Sequence, residues 1–466
     1  MMVGYRSAHG SGVELARGGV FVWLSFIVLV AFTGGASRYD ALQILPLRTV
    51  SALFAVTGCY FLASGRGTTE RALAYLFLAL VMLMAIQLVP LPIQVWSELL
   101  GQQMVVELDS VVGLTAEWRP ITLAPMRTWN AIGSLIVPCA ALTLTFAFTR
   151  TSRPLLQAVA VLGLLNAILG LAQILGGRYT LLYFYEVTNA GGAVGLFANE
   201  NHAAIFAACS MLVVAFLSMR ARLAGEARWW QIAYIAAFFL IFFIALITGS
   251  RAGFVAALGS LMATLLMVSM AQRPSRRRRG SGKMRRWLER NPRAIILVPF
   301  AVLSGLVVIF VALGRAPAFA DIFARDPLAD LRWSVWPILA EMLSVHWLIG
   351  TGFGSFEQVY QVFEPRSLLM AKYINQAHND WLQLIIEGGV AGGLLLVAVI
   401  GWIAKNVVTL TGSSLGWVSV IFWATLFAII GGASLVDYPL RTPVFQVSTI
   451  FFLIALSRDA RDKNIT

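Results

Sequence analysis

Gln376-Ala-His378-Asn379-Asp380-Trp-Leu-Gln383-Leu-Ile-Ile-Glu387-Gly-Gly-Val-Ala-Gly-Gly-Leu-Leu-Leu-Val-Ala-Val-Ile-Gly-Trp-Ile403 runs from a polar cluster straight into hydrocarbon-like sequence. At 1.5 Å per residue, its apolar part is long enough to cross ~30 Å of bilayer core as a helix. The run is continuous rather than alternating, which excludes a barrel strand. Similar runs recur throughout the 466 residues, of which 59% are hydrophobic and only 12% charged. The sequence therefore predicts an all-α fold, a polytopic membrane helix bundle of about twelve spans. These fall near 18–34, 46–64, 72–90, 127–149, 154–176, 200–219, 229–248, 252–270, 294–314, 381–403, 415–435 and 443–457.

Charge orients the bundle. With both termini cytoplasmic, 23 of the 35 Lys and Arg fall on the inner side and 16 of the 22 acids on the outer side. This obeys the positive-inside rule, so the net +13 expresses topology and not nucleic-acid binding. The densest basic block, Arg273 to Arg293, is expected on the cytoplasmic face against anionic lipid headgroups. The first apolar run exceeds a usual signal-peptide core, and Arg17 flanks it directly, so it is read as a retained span. Cys59, Cys139 and Cys209 all lie within predicted spans, have no metal-ligand spacing, and are read as packing residues.

No internal repeat of fixed period and no nucleotide or dinucleotide fingerprint is present, so no cofactor is expected. Three regions are distinguished: 1–194, with five spans and a large outer loop near 91–126; 195–403, with the inner basic loop and a large outer loop near 315–380; and 404–466, with the last spans and a cytoplasmic tail. In the second outer loop, Leu328, Leu331, Val335, Leu339 and Met342 recur at helical spacing after Pro327. They predict a surface helix, kinked or broken into two at Pro337, and ended by the turn Gly350-Thr-Gly352-Phe-Gly354.

Four outward-facing features carry polar chemistry at the bilayer boundary, where it is costly. Arg251 sits in the tight turn Thr248-Gly-Ser-Arg-Ala-Gly253; it either binds an anion such as a diphosphate or snorkels to headgroups. Arg332, at the edge of the surface-helix stripe, either meets an anion or pairs with Asp326 or Asp330. Asn199-Glu200-Asn201-His202 opens a span with more amide, carboxylate and imidazole than a cap needs, which suits sugar hydroxyls. His378 precedes a helix start, which disfavours its protonation and suits a general base. Asn379 stands beside it, and Asp380, Gln383 and Glu387 follow on one helix face that must point inward. The Glu107-Leu-Asp109 pair in the first outer loop is read as solvated charge.

Taken in order, Phe-Ala-Asn-Glu-Asn-His202, Thr-Gly-Ser-Arg251-Ala-Gly, Arg332-Trp followed by Gly-Thr-Gly-Phe-Gly-Ser-Phe, and Ala-His378-Asn-Asp-Trp-Leu-Gln with its trailing Glu-Gly-Gly resemble the O-antigen ligase and polymerase superfamily of bacterial envelope glycan assembly. The resemblance covers roughly residues 195–400; the N-terminal third matches only in hydropathy. It implies an inner-membrane, metal-independent inverting glycosyltransferase with its active site facing the periplasm. It implies a glycan donor on undecaprenyl diphosphate and, for a ligase, lipid A–core as acceptor. A polymerase would pass the glycan to another lipid-linked unit. On this resemblance Arg251 and Arg332 would bind the diphosphate and stabilise the leaving group, and His378 would deprotonate the acceptor hydroxyl. A lipid-linked glycan transporter is the reading from a different class, disfavoured by the missing repeat.

Overall fold

A computed structural model describes residues 7–65, 67–114, 117–271, 305, 312, 327–369 and 374–462, with side chains omitted at 7–17 and 327–333. The described residues are mostly helical. In order the helices are α1 (Ser7–Thr33), α2 (Ile44–Ala63), α3 (Arg71–Ile86), α4 (Ile93–Trp96), α5 (Gln103–Val112), α6 (Pro125–Ser134), α7 (Ile136–Phe148), α8 (Arg153–Gly176), α9 (Glu200–Leu223), α10 (Arg228–Ile247) and α11 (Arg251–Ala271). The basic block Arg273 to Arg293 lies outside the described residues; after it come α12 (Pro327–His346), α13 (Phe356–Phe363), α14 (Asp380–Thr409), α15 (Trp417–Val436) and α16 (Pro443–Arg461). The described strands are a two-residue antiparallel pair, β1 (Pro90–Leu91) against β2 (Arg119–Pro120). Proline opens α6, α12 and α16, where its missing N–H costs nothing.

Nine helices among the described residues are long and apolar enough to cross a membrane. They are α2, α6 continued by α7, α8, α9, α10, α11, α14, α15 and α16. The apolar part of α1, Gly18–Thr33, and the whole of α3 are apolar but shorter. The expected span near 294–314 lies outside the described residues except for 305 and 312. The chain is thus an all-α multi-pass membrane protein with nine candidate spans among the described residues, where the sequence led us to expect about twelve in the whole chain.

The Cα trace divides into two compact units. One comprises Met1–Arg150, Asp326–Lys405 and Ala433–Ser457; the other comprises Thr151–Arg325, Asn406–Gly432 and Arg458–Thr466. In the second unit α9 is the central helix: 94% of its most apolar window is buried, against α8, α10 and α11. Its Ala-rich sequence lets neighbours come close, since bilayer helices associate through small residues rather than by escape from water. A side chain at Gly253 of α11 would overlap the Ala204 methyl of α9, and Ser260 of α11 donates to the Ala208 carbonyl at 2.8 Å. Arg220 and Asp459 pair at 3.4 Å within this unit, joined by Ser152 and Trp423.

In the first unit α2 packs on α7, with α1 beside both, and the Trp23 indole N–H donates to Thr145 at 3.2 Å. The second outer loop builds its own apolar core. Val335, Ile338, Leu339 and Met342 of α12 meet Phe356, Val359 and Tyr360 of α13, together with Ile374, Ala377 and Ile386. Three predicted stripe residues, Val335, Leu339 and Met342, are therefore buried as expected. Of the expected kink or break at Pro337, the break is not found: α12 is one helix with the proline inside it. Buried residues on both sides of Pro337 belong to one core, and that packing outweighs the lost hydrogen bond.

Two smaller expectations also change. Asp109 is not solvated but 5% exposed, because the β1–β2 pair brings Arg119 into an ion pair with it; Glu107 stays exposed. Of the three cysteines, Cys209 is buried, Cys139 half-buried and Cys59 exposed, and all are free thiols.

Candidate functional site

The polar cluster that opens α14 is assembled around Gln383. Its carboxamide oxygen accepts from the Ala377 N–H at 2.9 Å, and its amide nitrogen donates to Gln376 Oε1 at 2.8 Å and Glu387 Oε1 at 3.0 Å. One buried side chain thereby holds the segment before the helix in place. Asn379 caps the helix, its side-chain oxygen accepting from the Leu382 N–H at 3.0 Å. His378 stands one residue ahead of this cap, with φ at +49°. It is the non-glycine residue with positive φ among those described. That conformation costs a side-chain-bearing residue of order 1–3 kcal/mol, and such strain concentrates at functional sites.

Sequence reasoning placed Asp380, Gln383 and Glu387 on one inward face. In the structure Gln383 and Glu387 are 1% exposed and the Asp380 side chain 12%. Their counter-charge is Arg441, from the turn between α15 and α16. Its Nε donates to Asp380 Oδ1 at 3.1 Å, and its Nη2 lies 3.7 Å from Glu387 Oε2. Burial works against the Arg441 charge, but Glu387 and Asp380 outweigh it and push its pKa above the ordinary value. Glu387 also accepts from the Phe356 N–H at 3.3 Å, so it fastens α13 to the site.

The same turn supplies the neighbours of His378. Asp437, with a side chain 7% exposed, places Oδ1 3.5 Å from His378 Nδ1. The Tyr438 ring packs edge-on against the imidazole, with centroids 4.9 Å apart. Nδ1 is buried while the histidine side chain as a whole is 32% exposed, so its exposed part lies on the remainder of the ring. Asp437, Tyr438 and Arg441 were missed in the sequence. The signal was there: Val-Asp437-Tyr-Pro-Leu-Arg441-Thr is a short turn between spans with two charges at the bilayer boundary, the same argument that selected Arg251.

Below Glu387 the helix breaks at Gly389, with φ +61° and ψ −158°. A methyl group there would meet the Leu348 carbonyl oxygen at 2.5 Å. The carbonyls and N–H freed by the break pair with the predicted glycine turn: Thr351 N–H to Ile386 O at 2.9 Å, Gly352 N–H to Glu387 O at 2.9 Å, and Val390 N–H to Leu348 O at 3.1 Å. The Gln87 amide, just past α3, donates to Glu387 O at 2.8 Å and accepts from the Phe353 N–H at 3.1 Å. The turn itself has φ of +83°, +96° and +83° at Gly350, Gly352 and Gly354, as the sequence led us to expect.

The other predicted residues lie elsewhere. Arg332 is in the first half of α12, where the backbone alone is described. Arg251 is exposed at the first residue of α11, and Ser250 caps that helix, accepting from the Gly253 N–H at 3.0 Å. At the start of α9, Asn199 accepts from the Asn201 N–H at 2.8 Å, which makes it the cap. Glu200 and Asn201 are half-buried and His202 is 1% exposed. The starts of α9 and α11 are neighbours through the Ala204–Gly253 contact. Among the described residues no group of three or more His, Cys, Asp or Glu could hold a metal ion.

Fold and site together define a multi-pass helical membrane protein with a strained histidine and a buried carboxylate–guanidinium network at the start of a broken helix. Residues 236–397 match the family model described as O-antigen ligase (Wzy_C), so the chain carries an O-antigen ligase family domain there. That stretch contains Arg251, Arg332, His378 and Glu387; the Asn199–His202 segment and the Asp437–Arg441 turn lie outside it. No curated protein matches the chain.

Proposed function

We propose that the protein is a membrane glycosyltransferase that moves a glycan from undecaprenyl diphosphate to an acceptor hydroxyl, as an O-antigen ligase with lipid A–core as acceptor. The observation that carries the reading is His378, held in the left-handed region with Nδ1 toward a buried carboxylate, inside a domain that matches the O-antigen ligase family. At 3.5 Å the Asp437 carboxylate is an electrostatic neighbour of Nδ1 rather than its hydrogen-bond acceptor; a negative charge there favours the tautomer protonated on Nδ1 and leaves Nε2 to take the proton. His378 then accepts the hydroxyl proton as the acceptor oxygen attacks the anomeric carbon, and the lipid diphosphate departs. Attack opposite the leaving group inverts that carbon.

A diphosphate needs its developing charge stabilised, and guanidinium is the side chain that does so in bidentate fashion. Arg332 and Arg251 take that part on the family resemblance. Arg441 is assigned to the site's framework instead, because its charge is already countered by Asp380 and Glu387. Glu200 and Asn201 are assigned to glycan hydroxyls, and Asp380, Gln383 and Glu387 to holding His378 in place.

The test is purified protein in vesicles, given lipid-linked glycan and acceptor with no ion or voltage gradient. Product supports a transferase; movement of the glycan across the bilayer without product supports a transporter. The acceptor is decided in the native host: deletion that leaves lipid-linked polymer accumulating and O-antigen unattached identifies a ligase, whereas single-unit caps identify a polymerase.

A further inference from the structure

Helix α5 has three sides, and only one of them faces the protein. Asp109 is buried in its ion pair with Arg119, and Val105 and Val106 flank it, half-buried. Gln103, Glu107 and Ser110 are exposed on a second side. The third side carries Met104, Leu108, Val111 and Val112, which are 50%, 58%, 83% and 65% exposed. At 100° per residue these four cover an arc about 100° wide, lying between the protein side and the polar side. A loop helix in water does the reverse: it buries its apolar arc and exposes its acid. Here Asp109 is inside, while Val111 and Val112 are outside.

The helix is also held firmly in that posture. Trp96, 1% exposed, donates to the Pro120 carbonyl at 2.8 Å, and the Arg119 guanidinium lies over its ring at 5.9 Å. Gln102 donates to Ile121 O at 3.1 Å, and Thr122 N–H to Gln87 O at 3.0 Å. Gly113, with φ +77°, ends the helix. The apolar arc is therefore not a loose segment awaiting a fold.

Continuity names its partner. Along the chain, exposed apolar residues lead from the end of the apolar helix α3 through Ile86, Val89 and Val95, each about half exposed, into α5, and follow it at Leu114 and Trp118. α3 has 16 residues, so it rises about 24 Å and ends short of the ~30 Å hydrocarbon thickness. A helix with one apolar side, one polar side and a flanking exposed Trp is the form that lies in a bilayer interface.

We infer that α5 is an interfacial helix whose Met104–Leu108–Val111–Val112 side is embedded in the acyl region of the leaflet on the site's side of the membrane. The loop it belongs to bonds directly to the site: Leu123 N–H donates to Thr351 O at 2.9 Å, next to the turn that satisfies the break in α14. The glycan chemistry plays no part in this inference, and either can fail alone.

Spin labels decide it. The full chain, with Cys59, Cys139 and Cys209 replaced by Ala, is labelled at Leu108→Cys, Val111→Cys or Glu107→Cys and placed in phosphatidylethanolamine–phosphatidylglycerol vesicles. All three positions are exposed, so the labels do not disturb packing. Relaxation by lipid-soluble oxygen relative to a water-soluble nickel chelate is expected to be several-fold higher at 108 and 111 than at 107. Equal nickel access at the three positions overturns the inference. So does shielding of 108 and 111 from both reagents, which would mean that a second copy or another protein covers this side.

Discussion

Two helix starts in this chain use nearly the same letters, and the structure treats them oppositely. Asn199-Glu200-Asn201-His202 opens α9, and His378-Asn379-Asp380 opens α14. In both an asparagine caps and an acid follows. The histidine differs by its place relative to the cap: three residues after it in α9, one before it in α14. Inside the first turn, His202 is packed to 1% exposure. Ahead of the cap, His378 lies outside the helix, bends into the left-handed region and keeps a third of its side chain exposed. Register against the cap, rather than composition, separates a packed imidazole from one that can meet a substrate.

The largest way to test that contrast is to remove each ring. His378→Ala should lower turnover by roughly 10²–10⁴-fold while donor binding persists. His202→Ala should cost about 1–3 kcal/mol of stability and leave turnover per folded molecule within a few-fold. Steady-state rates beside thermal melts separate the two; equal rate losses would collapse the distinction between the helix starts.

Asp437→Asn comes next. The amide keeps the shape but not the charge behind Nδ1, so a loss of roughly 10²–10³-fold is expected, with KM little changed. An unchanged rate would detach the α15–α16 turn from catalysis. Arg441→Leu acts through stability instead, because it leaves Asp380 and Glu387 without their counter-charge. A cost of about 3 kcal/mol is expected, with Arg441→Lys recovering only part of it; a melt within experimental scatter of wild type would show that the network is not needed.

A smaller effect concerns His346, at the end of α12. Burial pushes its pKa down to about 4 from 6.5. The folded protein thus resists protonation that the unfolded chain accepts. This contribution is whole above pH 6.5 and is lost as pH falls toward 4, on the order of 3 kcal/mol in all. His346→Phe should flatten the melting temperature across that window, whereas a slope that survives the change must come from another group. The smallest expected effect is none: transfer should proceed in EDTA, and a requirement for added divalent cation would turn attention to carboxylates such as Asp380 and Glu387.

Much of this was legible in advance. The spans follow from uninterrupted apolar runs, and the inward face of α14 from the cost of placing Asp380, Gln383 and Glu387 in lipid. The stripe Val335, Leu339, Met342 reported its own core. What stayed hidden depends on contacts distant in sequence. Nothing near Asp109 announces Arg119 as its partner until the β1–β2 pair is formed, and Pro337 reads as a break until both of its flanks share one core. The Asp437–Arg441 turn meets His378 across about sixty residues of chain, a proximity that no local pattern encodes.

The break at Gly389 has a mechanical consequence. The stretch below it must tilt to match whatever bilayer surrounds it. The stretch above it is tied to the glycine turn, to Gln87 and to Arg441 rather than to the axis of the helix below. A rod would carry every change of membrane thickness into the alignment of His378; a jointed rod, anchored above its joint, does not. Turnover in vesicles of short and long acyl chains should accordingly stay within about twofold, as small mismatch costs predict when they are absorbed below the joint. In Gly389→Ala, whose methyl would press on the Leu348 carbonyl oxygen and disturb the joint, the same series should spread apart. The glycine acts as a gimbal, keeping the chemistry level while the membrane beneath it changes.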